Sequence, residues 1–183
     1  MNIPNTLTMF RVVFAIGIFI LLPFKLYAVC VVLFLLAAAT DYLDGYWARK
    51  YNLVSVFGRI MDPFADKLLI CGCFVYLAAI PELTDVQLGM HPWMAVVIIG
   101  RELLITSLRA VVEKEGGDFS AKWIGKWKMG LQCVAVPACL IFLMFPNNYA
   151  LQIIMVVSLW GTIAITVYSG VEYCFNAARM IRH

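Results

Sequence analysis

The chain alternates long apolar runs with short polar breaks. Apolar residues dominate 8–24, 26–48, 57–80, 92–114, 122–145 and 149–174. A membrane helix needs about 20 mainly apolar residues. The pattern therefore predicts an all-α polytopic membrane protein of six transmembrane helices with a short N-terminal interfacial segment, forming one domain over 1–183. Turn residues fall where the spans need them: Pro23 stops the first run, Pro81 follows the third, Pro92 opens the fourth, and Pro146-Asn147-Asn148 separates the last two. Pro63 and Pro137 lie inside spans, where a proline bend is tolerated better than in a water-soluble helix. The stretch Glu113–Lys128 reads as the one sizeable polar loop, and no internal repeat is visible.

Composition agrees with the pattern. Only 14% of the 183 residues are charged, against about 25% in a soluble domain, and the mean hydropathy is +0.89. The net charge of +3 is less informative than its distribution. Loop 81–91 holds Glu82 and Asp85 but no Lys or Arg, and Lys25 is the sole cation on that side. Arg49, Lys50, Lys114, Lys122, Lys126, Arg179 and Arg182 gather on the other. The positive-inside rule then places both termini in the cytoplasm. Met1–Thr8 lacks a basic start, and no small-residue cleavage site ends the first apolar run, so no cleavable signal is expected. All six cysteines lie in apolar runs and read as small buried hydrophobes. His91 borders an outer turn and His183 ends the chain, so neither reads as a base.

Against this apolar background stand Asp41, Asp44, Asp62 and Asp66, at the inward ends of two spans. Insertion scales charge roughly 2.5–3.5 kcal/mol for an Asp at the centre of a membrane helix, so four uncompensated carboxylates would cost at least about 10 kcal/mol. Asp41 and Asp44 are spaced i,i+3, and Asp62 and Asp66 i,i+4, which puts each pair on one helical face. A short connection over 50–56 makes the two helices antiparallel, so the pairs are expected to converge in one cavity near the cytoplasmic surface. Oxygen-rich clusters suit hard divalent cations, and a two-metal site clamps phosphoryl oxygens during in-line displacement. The alternative is a set of buried salt bridges to Arg49, Arg59 and Lys67. Gly45 and Gly58 favour a site, because they remove side chains beside the acidic faces.

The stretch reads D-x2-D-G-x2-A-R-x8-G-x3-D-x3-D from Asp41 to Asp66. It resembles, without a departure, the signature of the CDP-alcohol phosphotransferase family. The resemblance implies transfer of a phosphatidyl group from CDP-diacylglycerol to an alcohol, with release of CMP, in the bacterial inner membrane. It further implies Asp41, Asp44 and Asp62 as main ligands of two Mg2+ or Mn2+ ions, and Asp66 as completing the site and acting as general base. Gly45, Ala48, Arg49 and Gly58 would shape the CDP-lipid pocket, and a homodimer is implied. No nucleic-acid partner is expected.

Three further segments bear on the acceptor. The start Asn2-Ile-Pro-Asn5-Thr-Leu-Thr8-Met-Phe-Arg11 is similar to that of the family branch using sn-glycerol 3-phosphate. There Asn5 and Thr8 would contact the pyrophosphate, although the pair also reads as a helix cap with an interfacial anchor. Arg101-Glu102 through Arg109, and Trp123-Ile-Gly-Lys126-Trp-Lys128, resemble stretches of the same branch. An acceptor bearing a phosphate needs cations, and Arg101, Arg109, Lys126 and Lys128 supply them. For Arg101 a structural pair with Glu102 is the alternative; for the lysines it is anionic lipid. Phosphatidylglycerol, serine or an inositol phosphate stay open as acceptors. A divalent-cation transporter is the non-enzyme alternative, disfavoured because no outer polar residues continue the acidic cluster.

Overall fold

A computed structural model describes residues 3–51, 56–114 and 123–181, with side chains described over 6–41, at 58, and over 60–110 and 127–176. Among the described residues every regular element is helical. The elements are α1 (Ile3–Leu21), a 3-10 turn (Leu22–Phe24), α2 (Tyr27–Tyr51), α3 (Val56–Ala78), α4 (Pro81–Thr84), α5 (Pro92–Lys114), α6 (Trp123–Met144) and α7 (Tyr149–Ile181). The six long helices coincide with the six apolar runs to within a few residues. Two refinements appear. Helix α1 already runs from Ile3, so the N-terminal polar residues are its first turn and not a separate segment. Helix α6 begins at Trp123, so Lys126 and Lys128 stand on a helix and not in a loop. Positions two apart lie on opposite sides of a helix axis, so the two lysines do not share a face.

Among the described residues, three helices are long and apolar enough to cross a membrane: Thr6–Phe24, Trp127–Met144 and Tyr149–Asn176, with a shorter apolar stretch at Tyr27–Asp41. Helices α3 and α5 have the length, but they carry Asp62, Asp66, Lys67, Arg101, Glu102 and Arg109. Large apolar side chains stay exposed along α1, α2 and α7, among them Val13, Ile20, Val32, Leu36, Ile154 and Val157. An apolar surface this extensive marks contact with lipid or protein, not water.

The six long helices close into a ring. Helix α1 packs on α2, α2 on α6, α6 on α7, α7 on α5, α5 on α3, and α3 back on α1, with α3 also reaching α6. One half of the ring is filled by an apolar core containing Ile18, Cys30, Phe34, Phe74, Leu77, Ile98, Val136, Cys139 and Met155. Small residues such as Ala15, Ala37 and Ala135 are fully buried there and let helices approach closely. The other half, nearer both termini, holds Thr8, Arg11, Glu102, Lys128, Gln132, Thr166 and Ser169, all buried. Apolar packing at one end thus leaves the opposite end for chemistry.

Two features fix the core end. Trp160 donates its indole N–H to the Leu88 carbonyl at 3.0 Å and meets Trp93 edge-on. Gly72 leaves room for Phe19, since a Cβ there would overlap the Phe19 ring, which itself stacks on Tyr76. Gly72→Leu is therefore expected to destabilise the α1–α3 contact by about 1–3 kcal/mol, the usual cost of overpacking. Thermal unfolding in detergent checks this, and an unchanged midpoint would show that Phe19 can move aside.

Candidate active site

The polar end is assembled by α1 as much as by the two acid-bearing helices. Arg11 is 1% exposed in the first half of α1, and its Nη1 lies 2.8 Å from Asp41 Oδ1 on α2. One turn earlier, Thr8 is fully buried and its hydroxyl donates to Asp62 Oδ1 on α3. Helix α1 packs against both α2 and α3 and stitches their acidic faces together, one through a cation and one through a hydroxyl. Two acidic faces repel one another, so a third helix bearing donors is a stable way to bring them to one place. The expected convergence is therefore mediated by α1, which the spacing of the aspartates alone does not reveal.

Asp66 lies one turn beyond Asp62 on α3, facing the ring interior. The charges of Asp41, Arg11, Lys128 and Glu102 all act on it. The backbone places Asp44 one turn beyond Asp41 on α2, followed by Gly45, Ala48 and Arg49. The side chains of Asn5, Asp44, Ala48, Arg49 and Lys126 lie outside the described residues, as does most of the connection over 50–56. Gly58 is buried in the first turn of α3.

Carboxylate oxygens are the right donors for a hard divalent ion, so the chemistry of the acidic set fits one. Among the described residues, no three His, Cys, Asp or Glu side chains already stand together as a ligand group. Asp41 and Asp62 are instead engaged by Arg11 and Thr8.

Helices α5, α6 and α7 build a second charged cluster. Glu102 Oε1 accepts from Lys128 Nζ and lies 3.5 Å from Arg101 Nη1. Arg101 is also fixed from α7: its Nε donates to Ser169 Oγ at 3.2 Å, and its guanidinium sits 5.7 Å from the Tyr173 ring centre. Two of the four proposed acceptor cations, Arg101 and Lys128, are thus brought together. Arg109 stands two turns further along α5, and its buried Nε has no hydrogen-bond partner among the described residues. Gln132, one turn after Lys128 on α6, is 1% exposed with its amide nitrogen likewise unpartnered. A buried donor without a partner costs about 1–3 kcal/mol, so both are open to a ligand.

Sequence reasoning did not single out Arg11, Gln132, Ser169 or Tyr173. Only Arg11 carried a signal, as a lone cation inside an apolar run that had to find a carboxylate.

Residues 1–168 match the family model of the CDP-alcohol phosphatidyltransferases. The chain is similar to a protein of Bacillus subtilis named CDP-diacylglycerol–glycerol-3-phosphate 3-phosphatidyltransferase, with 39% identity over 147 residues, 78% of this chain and 69% of that one. Proteins of the same name from Sodalis glossinidius and Haemophilus influenzae are 33% and 30% identical, covering 97% and 94% of this chain and 95% and 91% of their own lengths.

Proposed function

The chain belongs to the CDP-alcohol phosphatidyltransferase family, and from that premise we infer its reaction, acceptor and site. It is an enzyme of phospholipid biosynthesis that transfers the phosphatidyl group of CDP-diacylglycerol to sn-glycerol 3-phosphate, giving phosphatidylglycerophosphate and CMP. The observation that carries the acceptor is the buried Arg101–Glu102–Lys128 cluster, whose Glu102 and Lys128 charges act on Asp66. A neutral alcohol would not call for buried cations beside the acidic site.

The proposed arrangement follows from the ring. Six helices cross the bacterial inner membrane, with the polar end and both termini on the cytoplasmic side. CDP-diacylglycerol lies with its acyl chains in the bilayer and its head group at Asn5, Thr8, Gly45, Ala48, Arg49 and Gly58. Asp41, Asp44, Asp62 and Asp66 would hold Mg2+ or Mn2+, and two such ions when bound would neutralise charge on the pyrophosphate. Arg101 and Lys128, with Arg109 nearer the cytoplasm, hold the acceptor phosphate by charge-assisted hydrogen bonds, and Lys126, on the other side of α6, is left to anionic lipid. Asp66 takes the proton from the acceptor's primary hydroxyl. The oxygen attacks the lipid-side phosphorus in line, and the bond to CMP breaks. An ordinary carboxylate, with a pKa near 4, is a weak base, so rate comes mainly from holding the reactants in attack geometry.

Purified protein given CDP-diacylglycerol, Mg2+ and labelled sn-glycerol 3-phosphate should form labelled lipid and CMP in equal amounts, and chelation should stop both. CMP release only with serine, an inositol phosphate or phosphatidylglycerol would keep the acidic site and overturn the acceptor. Folded protein that releases no CMP with any acceptor would overturn the reaction itself.

A further inference from the structure

Glu102 is an acid set between two cations at the place assigned to an anionic substrate. It is 9% exposed, and one of its oxygens serves both Lys128 of α6 and Arg101 of α5. As a device for tying helices together this would be a poor choice. Apolar residues of similar volume often do as well as a buried ion pair or better, and charge inside a membrane helix carries an added cost. Arg101 is moreover already anchored to α7 through Ser169 and Tyr173. The three charged side chains sum to one net positive charge, an excess that packing alone has no reason to retain and that a phosphate would take up.

Geometry gives Glu102 its work. A free lysine ammonium swings on a flexible four-carbon stem among many rotamers. Held by Glu102, Lys128 Nζ keeps one position beside Arg101 and within the field of Asp66. A binding group already fixed before the ligand arrives loses less on binding.

Resting on the acceptor reading above, we propose that Glu102 is a positioning residue that fixes Lys128 beside Arg101 to receive the phosphate of the acceptor, and so makes the site select a phosphorylated alcohol. It touches neither the reacting hydroxyl nor the CDP-lipid. Its loss should fall on acceptor binding and spare the affinity for the donor.

Steady-state kinetics on the full-length protein test this with Glu102→Gln, Glu102→Asp, Lys128→Met and the Glu102→Gln/Lys128→Met pair. Glu102→Gln should raise KM for sn-glycerol 3-phosphate about tenfold, the loss of one well-placed charge-assisted hydrogen bond, with KM for CDP-diacylglycerol unchanged. The double variant should be no worse than Lys128→Met alone, because Glu102 acts through that lysine. Glu102→Asp keeps the charge with a shorter reach and should fall between wild type and Glu102→Gln. If the Gln variant does not fold, the Asp variant decides: a KM raised for the acceptor alone supports the proposal, and wild-type constants overturn it. Additive effects in the double variant, or equal losses for both substrates with a lowered unfolding midpoint, would mark Glu102 as structural. An unchanged acceptor KM in Lys128→Met overturns the acceptor site and the proposal together. A raised one beside a normal Glu102→Gln overturns the positioning role alone.

Discussion

Asp66→Asn is expected to remove turnover while the protein still binds CDP-diacylglycerol. The substitution keeps the volume of the side chain and its capacity to hydrogen-bond, and it takes away only the charge and the ability to accept a proton. Asp66 feels the charges of both clusters, Asp41 and Arg11 of the one and Glu102 and Lys128 of the other. Donor and acceptor are therefore proposed to meet at this position. A positioned general base contributes about 10²–10⁴-fold, and Asp66 is also assigned to the metal set. A fall in CMP release of at least about 10³-fold is expected from losing both roles at once. Equilibrium binding of labelled CDP-lipid separates chemistry from assembly, because Asn5, Thr8 and the Gly45–Gly58 segment are untouched. Near-normal turnover would remove Asp66 from the mechanism. Loss of CDP-lipid binding together with turnover would make it a binding ligand and leave the base to be found elsewhere.

The aspartates were legible in the sequence because the bilayer penalises them: four carboxylates at regular helical spacing in apolar runs have no bland reading of equal weight. Helix positions were legible for a similar reason, since apolar runs of this length have one stable form in lipid. What the sequence did not carry is which helix faces which. Arg11 and Asp41 are thirty residues apart, Thr8 and Asp62 fifty-four. Periodicity along one helix cannot say that a third helix lies across two acidic faces. Arg101 shows the same gap. Its neighbour Glu102 was visible as a partner, yet the fixing contacts come from Ser169 and Tyr173 of α7, and Lys128 arrives from α6. Lys126 and Lys128 looked equivalent in sequence. Once α6 is seen to start at Trp123, their two-residue spacing puts them on opposite sides of a helix.

Arg11→Met is expected to cost the metal-free protein about 3 kcal/mol. Breaking a buried ion pair by removing one partner costs about 3–5 kcal/mol, because the remaining charge is left without compensation. The lower end applies here, since Asp41 is about a third exposed and can draw on water. Methionine fills much of the space of the arginine stem, so the loss reports charge and not a cavity. The sign can be checked internally. Asp41→Asn alone should also destabilise, because buried Arg11 loses the carboxylate 2.8 Å from its Nη1. The Arg11→Met/Asp41→Asn pair should recover much of the loss, because both charges are then gone. Divalent metal sharpens the contrast: if Asp41 is a ligand, Mg2+ should restore more stability to Arg11→Met than it adds to wild type, and should restore nothing to the pair. Unfolding midpoints in detergent, with and without Mg2+, read all of this without reference to activity. Equal effects of Mg2+ on the three variants would mean that Asp41 does not bind the ion, and that Arg11 is its permanent counter-charge.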